Sequence, residues 1–299
     1  MPTVEPPVRK PPARRAASRP AGTAFGSPRD FLGNRFVYAV VSARARGLSI
    51  GVNLNPDQEC NFDCLYCEVD RHRRRRAAQL DVDAMAGELG RTLALVQSGD
   101  LATRPGFQGV PADLLQLRQV NLSGDGEPTL CPFFLDVVHA VLHVRARSGL
   151  PFFKVVLITN ATGLDRPQVA EGIRCLTRRD EVWAKLDAGT QAWMEHVNQP
   201  AVLLDRVLAN ILALARQRPV VIQSLFPLVN GQEPPEPEIR EYAQRLKELK
   251  EAGANLSVVQ IHSATRPMPH SGCGHLPLRS LARIAQIVRD TTGLRAEVF

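Results

Sequence analysis

Residues 48–67 read LSIGVNLNPDQECNFDCLYC, and their reading decides the fold. Residues 48–54 are an uncharged, largely apolar run, which reads as a strand covered on both faces. Just beyond it stand Cys60, Cys64 and Cys67, spaced C-x3-C-x2-C. Three thiols so close together are crowded for disulfide pairing and suit a metal. Thiolates are soft ligands that select zinc, copper or iron–sulfur clusters. Ordinary electron-transfer clusters use four cysteines, whereas the local set here is three. A cluster on three thiolates leaves one iron open, much as a catalytic zinc keeps an open position. Two other readings stay open. A zinc site would draw its fourth ligand from Cys131, Cys175, Cys273, His72 or His275. A thioredoxin-like pair would use Cys64 and Cys67 alone and leave Cys60 without a role.

Working outward, short apolar runs alternate with longer amphipathic stretches. Strands are expected over 48–54, 119–123, 154–159, 181–186, 220–225 and 256–262, and helices over about 81–97, 132–147, 165–178, 203–217, 236–251 and 278–291. Asp81 and Asp83 suit a helix N-terminus, and the run Pro235, Glu236, Pro237, Glu238 is another start signal, with Gly253 closing that helix. Six βα units in series predict an α/β fold with parallel strands; a curved, partly open barrel and a flat doubly wound sheet both satisfy the rhythm. In either, functional groups gather past the C-terminal strand ends.

The motifs sit there. The second strand runs into VNLSGDGEPTL, where Gly124 and Gly126 permit a tight turn and Glu127 offers a carboxylate to a cationic amine, unless the segment is a plain surface turn. The third ends in LITNAT, placing Thr159, Asn160 and Thr162 at the rim as polar contacts or turn caps. The fourth reads DEVWAKLDAGT; Lys185 and Asp187 share one side of it, as an ion pair or as functional groups, and Lys185 suits a Schiff base. The fifth offers Gln223 and Ser224, the sixth Gln260 and His262, as adenine or substrate contacts; the alternative for His262 is a satisfied structural histidine. Cys175 reads as a core residue of a helix, and Cys273 as part of a loop near the rim.

The chain has 299 residues, 44% hydrophobic, 22% charged and 5% aromatic, with a formal charge of +7. That composition suits one large soluble domain and gives little material for aromatic platforms. Much of the positive charge lies in residues 1–28, rich in Pro, Arg, Ala and Ser, and in RHRRRR at 71–76. Residues 1–28 are expected as a disordered tail and 29–299 as the folded domain. The Arg run is either a solvated loop or a phosphate contact, which makes RNA a candidate partner. No apolar run long enough to span a membrane and no secretory h-region occurs, and the cysteine usage fits a reducing compartment, so a cytoplasmic location with no membrane partner is expected.

The C-x3-C-x2-C spacing with Tyr66 before the last cysteine resembles the signature of the radical S-adenosylmethionine superfamily. The resemblance implies a partial (βα)6 TIM-like barrel and a [4Fe–4S] cluster on Cys60, Cys64 and Cys67. It implies S-adenosylmethionine on the open iron, reductive release of a 5′-deoxyadenosyl radical, hydrogen abstraction from a substrate, and an electron donor such as flavodoxin or ferredoxin. Gly124, Asp125, Gly126 and Glu127 are similar to the glycine–glycine–glutamate motif that meets the methionyl amine, with Asp125 where its first glycine usually stands. Lys185 and Asp187 resemble the strand-four groups that bind ribose or the cofactor carboxylate; Tyr66, Asn160 and Gln223 complete the implied cofactor set, and Lys185 is the candidate catalytic residue. Over about residues 47–290 the chain resembles bacterial Fe–S oxidoreductases related to wyosine-type tRNA synthases. With no cysteine before Cys60, no second N-terminal cluster is expected. The competing function is a non-catalytic iron–sulfur or zinc protein that contacts nucleic acid.

Overall fold

A computed structural model describes residues 24–25, 31–69, 79–264, 270 and 272–299. Strand β1 (Val37–Ser42) turns back antiparallel onto β2 (Gly47–Asn53), and the chain then alternates helix and strand. The order is α1 (Val82–Ser98), β3 (Leu117–Ser123), α2 (Phe134–Arg147), β4 (Lys154–Thr159), α3 (Pro167–Cys175), β5 (Glu181–Lys185), α4 (Gln191–Val197), α5 (Leu204–Ala215) and β6 (Val220–Leu225). There follow β7 (Pro227–Val229), α6 (Glu236–Glu251), β8 (Leu256–His262), β9 (Cys273–His275), α7 (Leu278–Thr292) and β10 (Ala296–Val298). The main sheet runs β1-β2-β3-β4-β5-β6-β8-β10, parallel from β2 onward, while β7 and β9 pair separately. The expected α/β fold of six parallel strands is present as β2 to β6 and β8, with β1 and β10 added at the two edges.

Those edges were invisible in the sequence for local reasons. The β1–β2 turn reads ARAR at 43–46 and puts Arg46 at φ +55° without any glycine or asparagine to signal it. Helix α3 ends at Cys175, short of the expected 178. Asp180 accepts from the backbone N–H and hydroxyl of Thr177 and from both terminal nitrogens of Arg145, which draws the chain out of the helix. Ala24, inside the segment expected as a tail, is buried and accepts from Val41 N (2.6 Å) while donating to Gly106 O (2.9 Å).

Alternation along the strands gives the sheet two faces. Ile50, Val52, Val120, Leu122, Val155, Leu157, Val182, Ile222 and Val259 pack under the helices in the main core. The opposite, inward face is split by height. Toward the N-terminal strand ends Val156, Trp183 and Val221 form an apolar floor, with Ile158 and Val258 against it. One inward step higher, at Lys185, Gln223 and Gln260, the face is polar, and on β3 Asn121 brings a polar group level with Val156. Register sets Trp183 beside Val221 and Val221 beside Val258, then Lys185 beside Gln223 and Gln223 beside Gln260. At Gly51 the face is vacated altogether. The Tyr38 ring lies there, so that a Cβ at Gly51 would meet its Cζ at 2.2 Å, and the Tyr38 hydroxyl reaches Ser123 Oγ at 3.3 Å.

Candidate cofactor site at the strand ends

The loop after β2 carries the three cysteines, all partly buried and none in a disulfide. It is held from two sides. On one side lies the segment after α4: Asp63 N donates to Asn198 O (3.0 Å), Leu65 N to Val197 O (2.9 Å), and Ala201 N to Asn61 O (2.9 Å). On the other lies the turn after β3. Glu127 N donates to Glu59 O (2.9 Å), and a Cβ at Gly126 would sit 1.7 Å from that same carbonyl. Gly126 is therefore a glycine because the backbone just before Cys60 occupies its side-chain space.

Glu127 and Asp125 divide their work. The Glu127 carboxylate is 3% exposed and accepts from Thr129 N and Oγ1, from Thr159 Oγ1 (2.5 Å) and from Asn160 N (2.7 Å). Burial pushes its acid upward, partly offset by these donors. It ties β3 to β4, with three donors on Oε1 and one on Oε2. Asp125 is half-buried at the rim and accepts from Asn53 Nδ2 (3.1 Å). Asn160 also ties neighbouring segments together. Its Oδ1 accepts from Thr162 N and Oγ1, and its Nδ2 donates to Asn61 Oδ1 (2.9 Å) in the cysteine loop.

At the end of β5 the motif side chains converge. The Tyr66 hydroxyl donates to Asp187, whose Oδ1 accepts from Leu225 N (2.8 Å), and Lys185 Nζ stands 3.5 Å from Asp187 and 5.0 Å from the Tyr66 ring centre. Asn198, which sequence reasoning missed, joins them. Its Nδ2 lies 3.0 Å from Asp187, 2.9 Å from Tyr66 Oη and 3.4 Å from Cys64 Sγ. Its signal was hidden because α4, only seven residues long, was not foreseen. Gln223 Nε2 reaches Gln260 Oε1 at 3.5 Å on the inward face. Ser224 does not belong to the site: it faces the helices, donating to Leu186 O and bonded to the Tyr242 hydroxyl. Cys175 is exposed rather than core, its helix ending there, and Cys131 is buried in the main core. Cys273 lies partly buried on β9. Residues 71–76 and 1–23 lie outside the described residues.

The donor set fits an iron–sulfur cluster. Burial pushes the Cys64 thiol up to about 12, against the pull of Asn198 and Lys185, so a thiolate there calls for metal charge beside it. Three thiols on one loop suit a cluster, which takes each thiolate on a separate iron.

No family model matches the chain. UPF0026 protein slr1464 of Synechocystis is 24% identical over 178 residues, which is 58% of this chain and 57% of that protein. SuiB of Streptococcus suis bound to S-adenosylmethionine superposes with a TM-score of 0.58 at 14% identity, covering 85% of this chain and 51% of that one. The fold is that of the radical S-adenosylmethionine enzymes. The same radical SAM fold recurs in a methyltransferase of Sphaerobacter thermophilus (TM-score 0.57, 16% identity, 88% and 68% of the two chains). It also recurs in TYW1 with a lysine–pyruvate adduct bound (0.52, 15%, 83% and 74%). The chain spans about half the length of SuiB and matches a little over half of the Synechocystis protein.

Proposed function

We propose that this chain is a radical S-adenosylmethionine enzyme. The observation that carries the reading is the three-cysteine loop at the C-terminal mouth of a parallel barrel, braced by Gly126 and Glu127 on one side and Asn198 on the other. Cys60, Cys64 and Cys67 hold three irons of a [4Fe–4S] cluster. When bound, cluster and S-adenosylmethionine supply a 5′-deoxyadenosyl radical for hydrogen abstraction. The chain's part is to bind and orient. Asp125 receives the methionyl amine, Tyr66 and Asp187 fix the loop against β5, and Lys185 and Gln223 line the interior where cofactor and substrate extend. Lys185 is the candidate catalytic group. A one-electron donor of the flavodoxin or ferredoxin kind supplies the reducing equivalent. Among macromolecules, RNA is favoured as substrate by the +7 charge and the Arg71–Arg76 run.

The test is anaerobic reconstitution and reduction, followed by iron and sulfide analysis and detection of 5′-deoxyadenosine. About four irons per chain and 5′-deoxyadenosine release are expected, with Cys64→Ala losing both. A purified protein that carries zinc, or a protein ligand on every iron, overturns the reading.

A further inference from the structure

Arginines gather at the end of the barrel opposite the cluster loop. A hollow of about 530 Å3 lies there, at the N-terminal ends of the parallel strands and against Val221 of the apolar floor. Arg118, Lys154, Arg178 and Arg179 stand around it. We propose that Arg118, Arg178 and Arg179 form a site for a phosphate-bearing ligand, either a free polyphosphate such as a nucleotide carries or the backbone of an RNA chain. The site goes beyond the enzyme reading and does not depend on it.

Three observations support it. The first is charge. The acids around the hollow are Asp180 and Glu181, and both are taken. Asp180 holds Arg145 at 2.6 Å, and Glu181 receives Lys154 Nζ on one oxygen and Trp183 Nε1 on the other, each at 2.7 Å. Among the described residues no carboxylate forms an ion pair or hydrogen bond with the guanidinium of Arg118, Arg178 or Arg179. Three like charges around one hollow repel each other, and a bound anion relieves them. A single carboxylate offsets one charge of the three, whereas a diphosphate offsets most of them and offers paired oxygens to the guanidinium forks.

The second is the turn that presents two of these arginines. Arg218 donates to Ile173 O (3.0 Å), Thr177 O (3.0 Å) and Asp180 O (2.7 Å). Asp180, 2% exposed, accepts from Thr177 N and Oγ1 and from Val155 N. The backbone from Thr177 to Asp180 is thus pinned at both ends, and its two middle residues, Arg178 and Arg179, are exposed. A fixed turn lowers the ordering cost that a ligand must overcome.

The third is that the other side chains around the hollow hold the arginines in place. Arg179 Cζ lies 5.0 Å from the centre of the Phe152 ring, with Arg145 Cζ at 5.4 Å. Phe152 is 51% exposed, so the ring serves as a rest for guanidinium groups rather than as core. Across the hollow, a Cβ at Gly47 would meet Arg118 Cγ at 2.9 Å, so the missing side chain of Gly47 gives the Arg118 stem its bed.

The experiment is equilibrium dialysis of the full chain, purified without oxygen, against radiolabelled pyrophosphate at physiological ionic strength. Saturable binding of one pyrophosphate per chain is expected, undisplaced by citrate and unchanged when S-adenosylmethionine is present. Arg118→Gln and Arg178→Gln should each weaken it at least about tenfold, the loss of one charge-assisted contact. Arg240→Gln removes the same charge from the exposed face of α6 and should leave the affinity unchanged. All three side chains are exposed, so the variants keep the fold. Two competitors separate the sources. Displacement by ADP but not by a short single-stranded RNA marks a free nucleotide; displacement by the RNA, with RNA affinity also reduced in Arg178→Gln, marks an RNA contact. Absence of saturable binding, full affinity in both Arg118→Gln and Arg178→Gln, equal weakening by Arg240→Gln, or displacement by citrate or by S-adenosylmethionine overturns the proposal. A protein that binds pyrophosphate as described but releases no 5′-deoxyadenosine sinks the enzyme reading alone.

Discussion

At the scale of the residue, the cysteine loop depends on a side chain that holds no metal. The Asn198 amide touches Cys64, Tyr66 and Asp187 together, and its backbone carbonyl receives Asp63 N. Asn198→Ala leaves the buried Asp187 short of a donor, a loss of about 1–3 kcal/mol. The expected result is a lower urea midpoint and a reduced iron content after reconstitution. His262 carries a pH signature of its own. Its imidazole is neutral in the fold, while the unfolded chain protonates near the ordinary value of 6.5. The unfolded state then binds more protons on the acid side, so stability falls as pH drops through 6.5, by at most about 1.4 kcal/mol per pH unit. His262→Gln removes that slope, which unfolding curves between pH 5 and 7.5 would reveal; an unchanged slope would refute the neutral assignment.

At the scale of the element, the turn after β3 acts as a shelf for the cluster loop. Gly126→Ala drives a methyl group into the Glu59 carbonyl, and a backbone atom cannot step aside as a flexible side chain does. The expected outcome is a chain that keeps its helical circular dichroism but no longer retains iron. The cysteine spacing, the strand before it and the polar residues at strand ends were all legible in the sequence, because a buried parallel strand writes a continuous apolar run. What was not legible depends on partners far along the chain. Nothing local to its motif showed that Glu127 also accepts from Thr159 and Asn160 at the end of the next strand. Ser224 alternates away from Gln223 and lands against Tyr242 of α6. Asn198 needed α4, whose seven residues are too few to write a period.

At the scale of the whole molecule, the barrel separates support from chemistry by height. The floor of Val156, Trp183 and Val221 is apolar, and the row above it, at Lys185, Gln223 and Gln260, is polar. Trp183, 1% exposed, is the largest side chain of that floor. Trp183→Ala opens a cavity and costs about 3–5 kcal/mol, measured as a drop in the denaturant midpoint with the slope unchanged. The eight-stranded sheet ends on its first and last strands, and the turn after the first reaches the last through Arg46 and Glu297. Sequence order and spatial order therefore close on each other like a ring cut at a single place. Moving the cut should be tolerated: a circular permutant that bridges β10 to β1 with a short linker and opens at an exposed loop between two βα units keeps every strand beside its present neighbours.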